Sequence, residues 1–505
     1  MNSELAAVDV AIVVLYVLAT VGLGWWFSRR QHNLRTYFVG DRDISWWLIL
    51  VSIVATETST VTFLSVPGLA FDPRGGNFTF LQMAFGFVVG RVVIAGLLLP
   101  QYLRGELLSV YQLLQQRFNH SVQRTASGLF LLTRVVADGL RLYLAALLLQ
   151  QFTGWNGEVS VLVIGGATIL YTLLGGMQAV LWTDLIQFTI YIVGAIVAGV
   201  CILQRIPGGW DGYLAAGEQA HKFTLLDFST DPRQKYTLWT GLVGGAFLTM
   251  ASHGADQMMV QRYFCSRSLG QARTALVLSG FVVLLQFLLF LSIGAGLWVL
   301  CDRGILHLTS GKNDEAFGAF IVNFLPHGII GLVIAAVLAA SMSTLSSSLN
   351  SSASAFVTDF YRPLRSGREE THYLVVSRWM TLVWGSTRIA VALLALRWFR
   401  ESSVVDEVLK VAAFTTGMIL GLFLLSSLRR RVSSRAALTG LVAGFVAVSV
   451  VWFPPLWGDN RLAWPWYAPL GTITTVLVAL VLNLLETKYG SPTNRGEKPG
   501  LDKIG

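Results

Sequence analysis

Residues 328–362 read GIIGLVIAAVLAASMSTLSSSLNSSASAFVTDFYR. The stretch is apolar enough to enter a bilayer, yet its second half is crowded with hydroxyls. As one helix it would run roughly 50 Å, enough to cross a membrane and protrude. On a 3.6-residue period Ser343, Ser346, Ser347, Asn350 and Ser354 share a face. Such a stripe either glues helices together or lines a wet path. Five oxygen-bearing side chains on one face, with no charge among them, also suit a small hard cation.

The rest of the chain agrees with a membrane setting. Of 505 residues, 54% are hydrophobic and only 13% charged, against about 25% charged in soluble proteins. Stretches of spanning length fall near 7–27, 46–70, 78–100, 125–152, 158–177, 183–204, 237–254, 273–300, 328–356, 374–396, 405–427, 435–454 and 466–485, about thirteen in all. Arginines follow the first, third, seventh and eleventh: Arg29, Arg30, Arg35 and Arg42; Arg104, Arg117 and Arg124; Arg262, Arg267 and Arg273; Arg429, Arg430, Arg431 and Arg435. That alternation predicts an outside N-terminus and a cytoplasmic C-terminus in the plasma (inner) membrane. The first apolar run lacks a basic leader, so it reads as an uncleaved helix rather than a signal peptide. The net charge of +9 sits in short loops, which argues against nucleic acid as a partner. Three cysteines lie far apart and make neither a metal site nor a disulfide framework. No HExxH, P-loop or GxSxG motif occurs, so neither an enzyme nor a cofactor is expected.

Two spans look interrupted. The second carries Glu57, a run of Ser and Thr, and Pro67-Gly68; the seventh carries Gly244-Gly245 and then Ser252, His253 and Gly254. Broken helices five spans apart point to a transporter of inverted repeats, because irregular backbone at membrane depth survives only where it lines a cavity. Gly/Pro kinks are the alternative.

At these residues the chain resembles the sodium:solute symporters. The segments that carry the likeness are ASMSTLSSSLNSSASAFVTDFYR (340–362), YTLLGGMQAVLWTDLIQF (171–188), GADQMMVQRYFCSRSLGQA (254–272), VATETSTVTFLSVPG (54–68) and GLFLLSSLRRRVSSRAALTGLVAG (421–444). The resemblance implies an all-α fold of the leucine-transporter type: an extra N-terminal helix (7–27), two inverted five-helix repeats (46–204 and 237–427), two extra C-terminal helices (435–485) and a tail (486–505). It implies a sodium site built from the carbonyls of Ala55, Thr58 and Ala340 and the hydroxyls of Ser343 and Thr344. A second sodium site, as in some members, would use Asp184 with Ser343, Ser346 and Ser347. Matching cavity positions make Glu57, Ser59, Thr62, Gln82, Thr249, Ser252, His253, Phe414 and Thr415 candidates for the solute. Arg134 resembles a carboxylate-binding arginine of the sialic acid branch. A guanidinium at that depth needs a partner, either Asp138 four residues on or a carboxylate on the solute. Glu57 would leave room for an amino group.

The expectation is a monomeric symporter importing a small polar solute with sodium by alternating access. Proton coupling in the same fold and a transporter-like sensor are the alternatives. No channel-filter sequence is present.

Overall fold

The serine-rich stretch is the most enclosed element of the computed structural model, in which residues 6–29, 33–105, 107–308, 313, 315–398, 404–453 and 462–489 are described. In chain order the principal helices are α1 (Ala7–Ser28), α2 (Trp46–Glu57), α3 (Thr60–Phe71), α4 (Leu81–Leu97), α5 (His120–Thr153), α6 (Gly157–Arg205), α7 (240–254), α8 (Gln257–Phe264), α9 (Leu269–Asp302), α10 (Ile329–Phe356), α11 (Glu370–Trp398), α12 (Val404–Ser427), α13 (Ser434–Trp452) and α14 (Tyr467–Tyr489). Each predicted span coincides with helix, and no β-strand occurs among the described residues. Among the described residues, eight helices are long and apolar enough to cross a bilayer unaided, and the bent pair α2–α3 makes a ninth if it is one span.

Helix α10 packs against α6, α5, α1 and α11, and its residues from Val333 to Ala355 are all buried. Its small residues allow this, since Ala and Ser let neighbouring backbones close in. The hydroxyls therefore face protein on every side, not along one wet stripe. Asp9 of α1 caps the start of α10, accepting from the Gly328 and Gly331 amides at 2.6 and 2.8 Å. Those two amides belong to the first, unpaired turn of that helix.

Both interruptions exist. Helices α2 and α3 are bent by 63°, with Thr58 and Ser59 in extended conformation. The last bond of α2 runs from Thr58 N to Val54 O, so the break releases the carbonyls beyond it. Ser59 Oγ caps α3 by accepting from Thr62 N at 3.4 Å. Pro67 stays inside α3. The second break falls later than expected. Gly244-Gly245 lie within α7, a run of two π-helical turns around one α-turn, and the chain leaves the helix at Ala255-Asp256. The glycines of that region serve packing instead: a Cβ on Gly86 of α4 would lie 2.1 Å from the Gly241 carbonyl. Spans 158–177 and 183–204 need no loop, because Gly176 alone turns the chain, at φ 58° and ψ −157°. Only glycine adopts that region freely.

The apolar core falls into two large clusters stacked along the helices. Ionisable residues occupy the gaps between them. Arg91 lies between Phe87 and Ile94, Arg134 and Asp138 between Leu131 and Leu140, and Asp184 between Leu181 and Tyr191. The charges thus form a layer at mid-depth, between two apolar slabs.

Candidate functional site

Three charge clusters make up this layer. In the first, Arg91 of α4 donates to Glu57 at the end of α2, and His253 Nε2 lies 3.2 Å from the guanidinium and 3.5 Å from the carboxylate. Ser252 Oγ meets the other ring nitrogen at 2.9 Å. Arg91 is fully buried and already neutralises Glu57, so the room expected there for a solute amino group is taken.

In the second cluster Arg134 has a partner beyond the two alternatives weighed for it. Its guanidinium donates to Asp256, beyond the second break, while Asp138 stands 3.8 Å away. Asp256 is placed by its local role: as the N-cap of α8 it accepts from Met258 N at 2.9 Å, leaving its other oxygen for Arg134. Asp138 pairs with Arg141 at 3.0 Å and with Arg388 of α11 at 3.5 Å. Ser348 of α10 donates to Asp138 and accepts from Arg388 at 2.9 Å.

In the third, Asp184 of α6 accepts from Ser343 at 2.6 Å and from Ser52. Its counter-charge is Arg262, 3.1 Å away. Arg262 also donates to Ser52 at 2.8 Å and to Thr56 and Ser347. Expected in a basic loop, Arg262 is instead fully buried in α8. Helix α8 resumes at Gln257, just past the break, and carries the arginine to Asp184. A buried pair survives only when its remaining hydrogen-bonding positions are met, and the hydroxyls of α2 and α10 meet them here.

Of the first-site residues, Thr344 reaches the α2–α3 break. Thr344 Oγ1 donates to Thr56 O at 3.0 Å and lies 3.3 Å from Ala340 O. Thr58 Oγ1 donates to Val54 O at 2.8 Å and accepts from Gln286 at 2.7 Å. Ala55, Ala340, Ser343 and Thr344 are all buried. A hydroxyl that donates one hydrogen keeps two lone pairs, so Ser343 and Thr344 remain able to ligate a hard cation. Ser346 donates to its own helix at Ser343 O, 3.0 Å, and Ser347 meets Thr56 at 3.1 Å.

A cavity of about 90 Å³ opens between α5, the end of α7 and α12. Its polar lining is Tyr111, Thr133, Arg134, Arg141, Ser252, Asp256, Thr415 and Thr416. Thr133 and Thr415 share a hydrogen bond of 3.0 Å. A smaller void of about 10 Å³ is lined by Ser59, Thr60, Arg141, Ser341 and Thr344. Thr62 is within 3.4 Å of Ser59. Two candidates have their side chains engaged elsewhere. Gln82 uses its amide on the Thr79 and Tyr236 carbonyls and the Asp227 amide, all at 3.1 Å; it pins a loop and does not reach this cavity. Thr249 is buried against Gly90, between α7 and α4. The side chain of Phe414 lies outside the described residues.

Sequence reasoning passed over Ser52, Thr56, Arg91, Arg141, Asp256 and Arg388. A signal existed for Arg91 and Arg388, each inside an apolar span, where any charge announces a partner.

Broken helices beside a hydroxyl-rich helix, with a paired charge layer at mid-depth, define a secondary transporter. Residues 37–444 match the sodium:solute symporter family, and the chain belongs to it; its function is sodium-coupled solute import by alternating access. It is 29% identical over 464 residues to the human (Homo sapiens) sodium/iodide cotransporter, covering 88% of this chain and 70% of that protein. It is also 29% identical to human sodium-coupled monocarboxylate transporter 1, covering 88% of this chain and 73% of that protein. Among solved structures, the substrate-bound outward-open state of a Na⁺-coupled sialic acid symporter matches at 27% identity. Its TM-score is 0.85, over 95% of this chain and 98% of that one.

Proposed function

We propose that the solute is a small anion bearing one carboxylate, carried by a monomer in the plasma membrane. The observation that supports this is the charge balance of the mid-depth layer. Among the described residues, Arg91, Arg134, Arg141, Arg262 and Arg388 pair with only Glu57, Asp138, Asp184 and Asp256. Arg141 and Arg388 share one aspartate, so one guanidinium exceeds the carboxylates, and Arg141 lines the larger cavity. A surplus cation in a low-dielectric site is costly until an anion joins it. The solutes named for the related proteins are iodide, monocarboxylates and sialic acid, all anions. A cavity of about 90 Å³ suits a short monocarboxylate better than a nine-carbon sugar acid.

In this reading Ala55, Thr58, Ala340, Ser343 and Thr344 hold one sodium ion. Asp184, Ser343, Ser346 and Ser347 hold a second when Arg262 withdraws. The repeats are 46–204 and 237–427, the N-terminus faces outward, and no covalent chemistry is involved. The test is uptake into proteoliposomes under an imposed sodium gradient. Short monocarboxylates such as lactate, pyruvate and propionate are compared with iodide, proline and glucose. Sodium-dependent accumulation of a monocarboxylate is expected; accumulation of glucose or proline alone overturns the assignment. Iodide alone would place an inorganic anion at the same surplus charge.

A further inference from the structure

Among the described residues, Arg141 is the side chain that borders both the larger cavity and the small void beside Thr344. We propose that Arg141 is the electrostatic link between the two substrates: its charge opposes sodium at the helix break until the solute's anionic group neutralises it. This rests on the anionic solute proposed above.

The geometry is specific to this position. Arg134 and Arg141 are seven residues apart on α5, two turns and roughly 10 Å along one face. Arg134 has its own carboxylate in Asp256. Among the described residues Arg141 has only Asp138, at 3.0 Å, and divides it with Arg388 at 3.5 Å and, more distantly, Arg134 at 3.8 Å. It is also the more exposed of the two, its side chain 19% accessible against 10%. Arg141 lines the space a small anion would enter. It also lines the small void, together with Ser59, Thr60, Ser341 and Thr344. Thr344 is bonded to the Thr56 carbonyl at the break, so a cation held there lies across the void from the guanidinium. Two positive charges so placed repel, and little water screens them at this depth. An anion bound to Arg141 cancels that repulsion. Sodium and solute then bind more tightly together than apart, and by linkage each raises the other's affinity by the same factor.

Sodium alone is the probe. The melting temperature of the purified full-length protein is measured against sodium chloride, with choline chloride holding chloride and ionic strength constant. Arg141→Gln should tighten sodium binding roughly three- to tenfold without any solute. Arg141→Lys, which keeps the charge, should match wild type. Asp138→Asn, which leaves more positive charge, should weaken sodium binding by a similar factor. Charge removal of opposite sign shifting affinity in opposite directions is something a packing role would not produce. Equal sodium affinity in wild type and Arg141→Gln, or weakening in both Arg141→Gln and Asp138→Asn, overturns the proposal. Should Arg141→Gln not fold, Asp138→Asn decides alone, and an unchanged or tighter sodium affinity there refutes it. The readout contains no solute. A failed carboxylate screen therefore removes the solute's part in the link but not the opposition between Arg141 and sodium, and a failed sodium titration leaves the carboxylate assignment standing.

Discussion

Separating Arg134 from Asp256 tests whether the two halves of the molecule are tied by a buried ion pair. Arg134 sits on α5 and Asp256 just beyond the second break, and both side chains are about nine-tenths buried. Replacing Arg134 by Met keeps most of its stem volume but leaves a carboxylate without its nearest counter-charge. Removing one partner of a buried pair costs about 3–5 kcal/mol, mostly the penalty of the stranded charge. Asp256→Asn is the matching change, because Asn still caps α8 through Met258 N and only the charge is lost. It strands Arg134, with Asp138 3.8 Å away to soften the cost, so about 2–4 kcal/mol is expected. The double variant strands neither. It should lie about 2–3 kcal/mol above the sum of the two single losses, the coupling usual for directly interacting residues. For a chain this long that coupling amounts to roughly 2–3 °C in melting temperature. Thermal unfolding of the four proteins in detergent, with sodium fixed, is the assay. Additive losses, within about 0.5 kcal/mol, would show that the pair is not coupled and that Arg134 is held by Asp138 or by solute instead. Asp138→Ala offers the control: combined with Arg134→Met it should recover much less than Asp256→Asn does.

Other outcomes follow from the same contacts. Thr344→Ala removes a proposed sodium ligand and the bond to Thr56 O, worth about 1 kcal/mol; sodium-dependent uptake should need several-fold more sodium, and an unchanged sodium dependence would misplace the first site. Asp184→Asn leaves Arg262 buried among hydroxyls alone, so the protein should lose about 2–4 kcal/mol; flux ratios should fall from two sodium ions per solute to one, and a ratio of one in wild type ends the second-site proposal. Lys222 lies in the loop after α6, its ammonium donating to the Ala70 and Asp72 carbonyls at 3.1 and 2.9 Å. Burial pulls its pKa down to about 8, with Asp72 partly opposing. Below pH 8 both folded and unfolded chains carry this proton, and the burial penalty is borne in full. Between pH 8 and the usual value near 10.5 the folded form releases the proton first, so this group's contribution to stability rises with pH. Melting temperature against pH should show that rise in wild type and lack it in Lys222→Met; identical slopes would refute the assignment.

The sequence by itself determined the solvent, the helices and the first break. Apolar runs of spanning length admit only helices when no water can satisfy the backbone, and each predicted run is helical. The run from Glu57 to Gly68 reads as interrupted, and the family likeness put Thr58 at the break; the structure breaks the helix there, with Thr344 bonded to the Thr56 carbonyl. Partnership among charges was a different matter. The rule that a buried charge needs a counter-charge is local, but the counter-charge is not: Arg134 finds Asp256 122 residues away, and Asp184 finds Arg262 78 residues away. Along a single helix the spacing offered Asp138 to Arg134, and short-range geometry could not see the competitor across the break. Arg262 looked like a loop residue because the seventh span reads as ending at 254 and further basic residues follow, yet the chain resumes a helix at Gln257 that carries it. Only the folding of α5, α6, α8, α10 and α11 onto one another decided which carboxylate each guanidinium meets. It also decided that Arg141 should be left to share Asp138. Coulomb energy at mid-depth depends on distances of a few ångströms, and a linear chain does not contain those distances until it is packed.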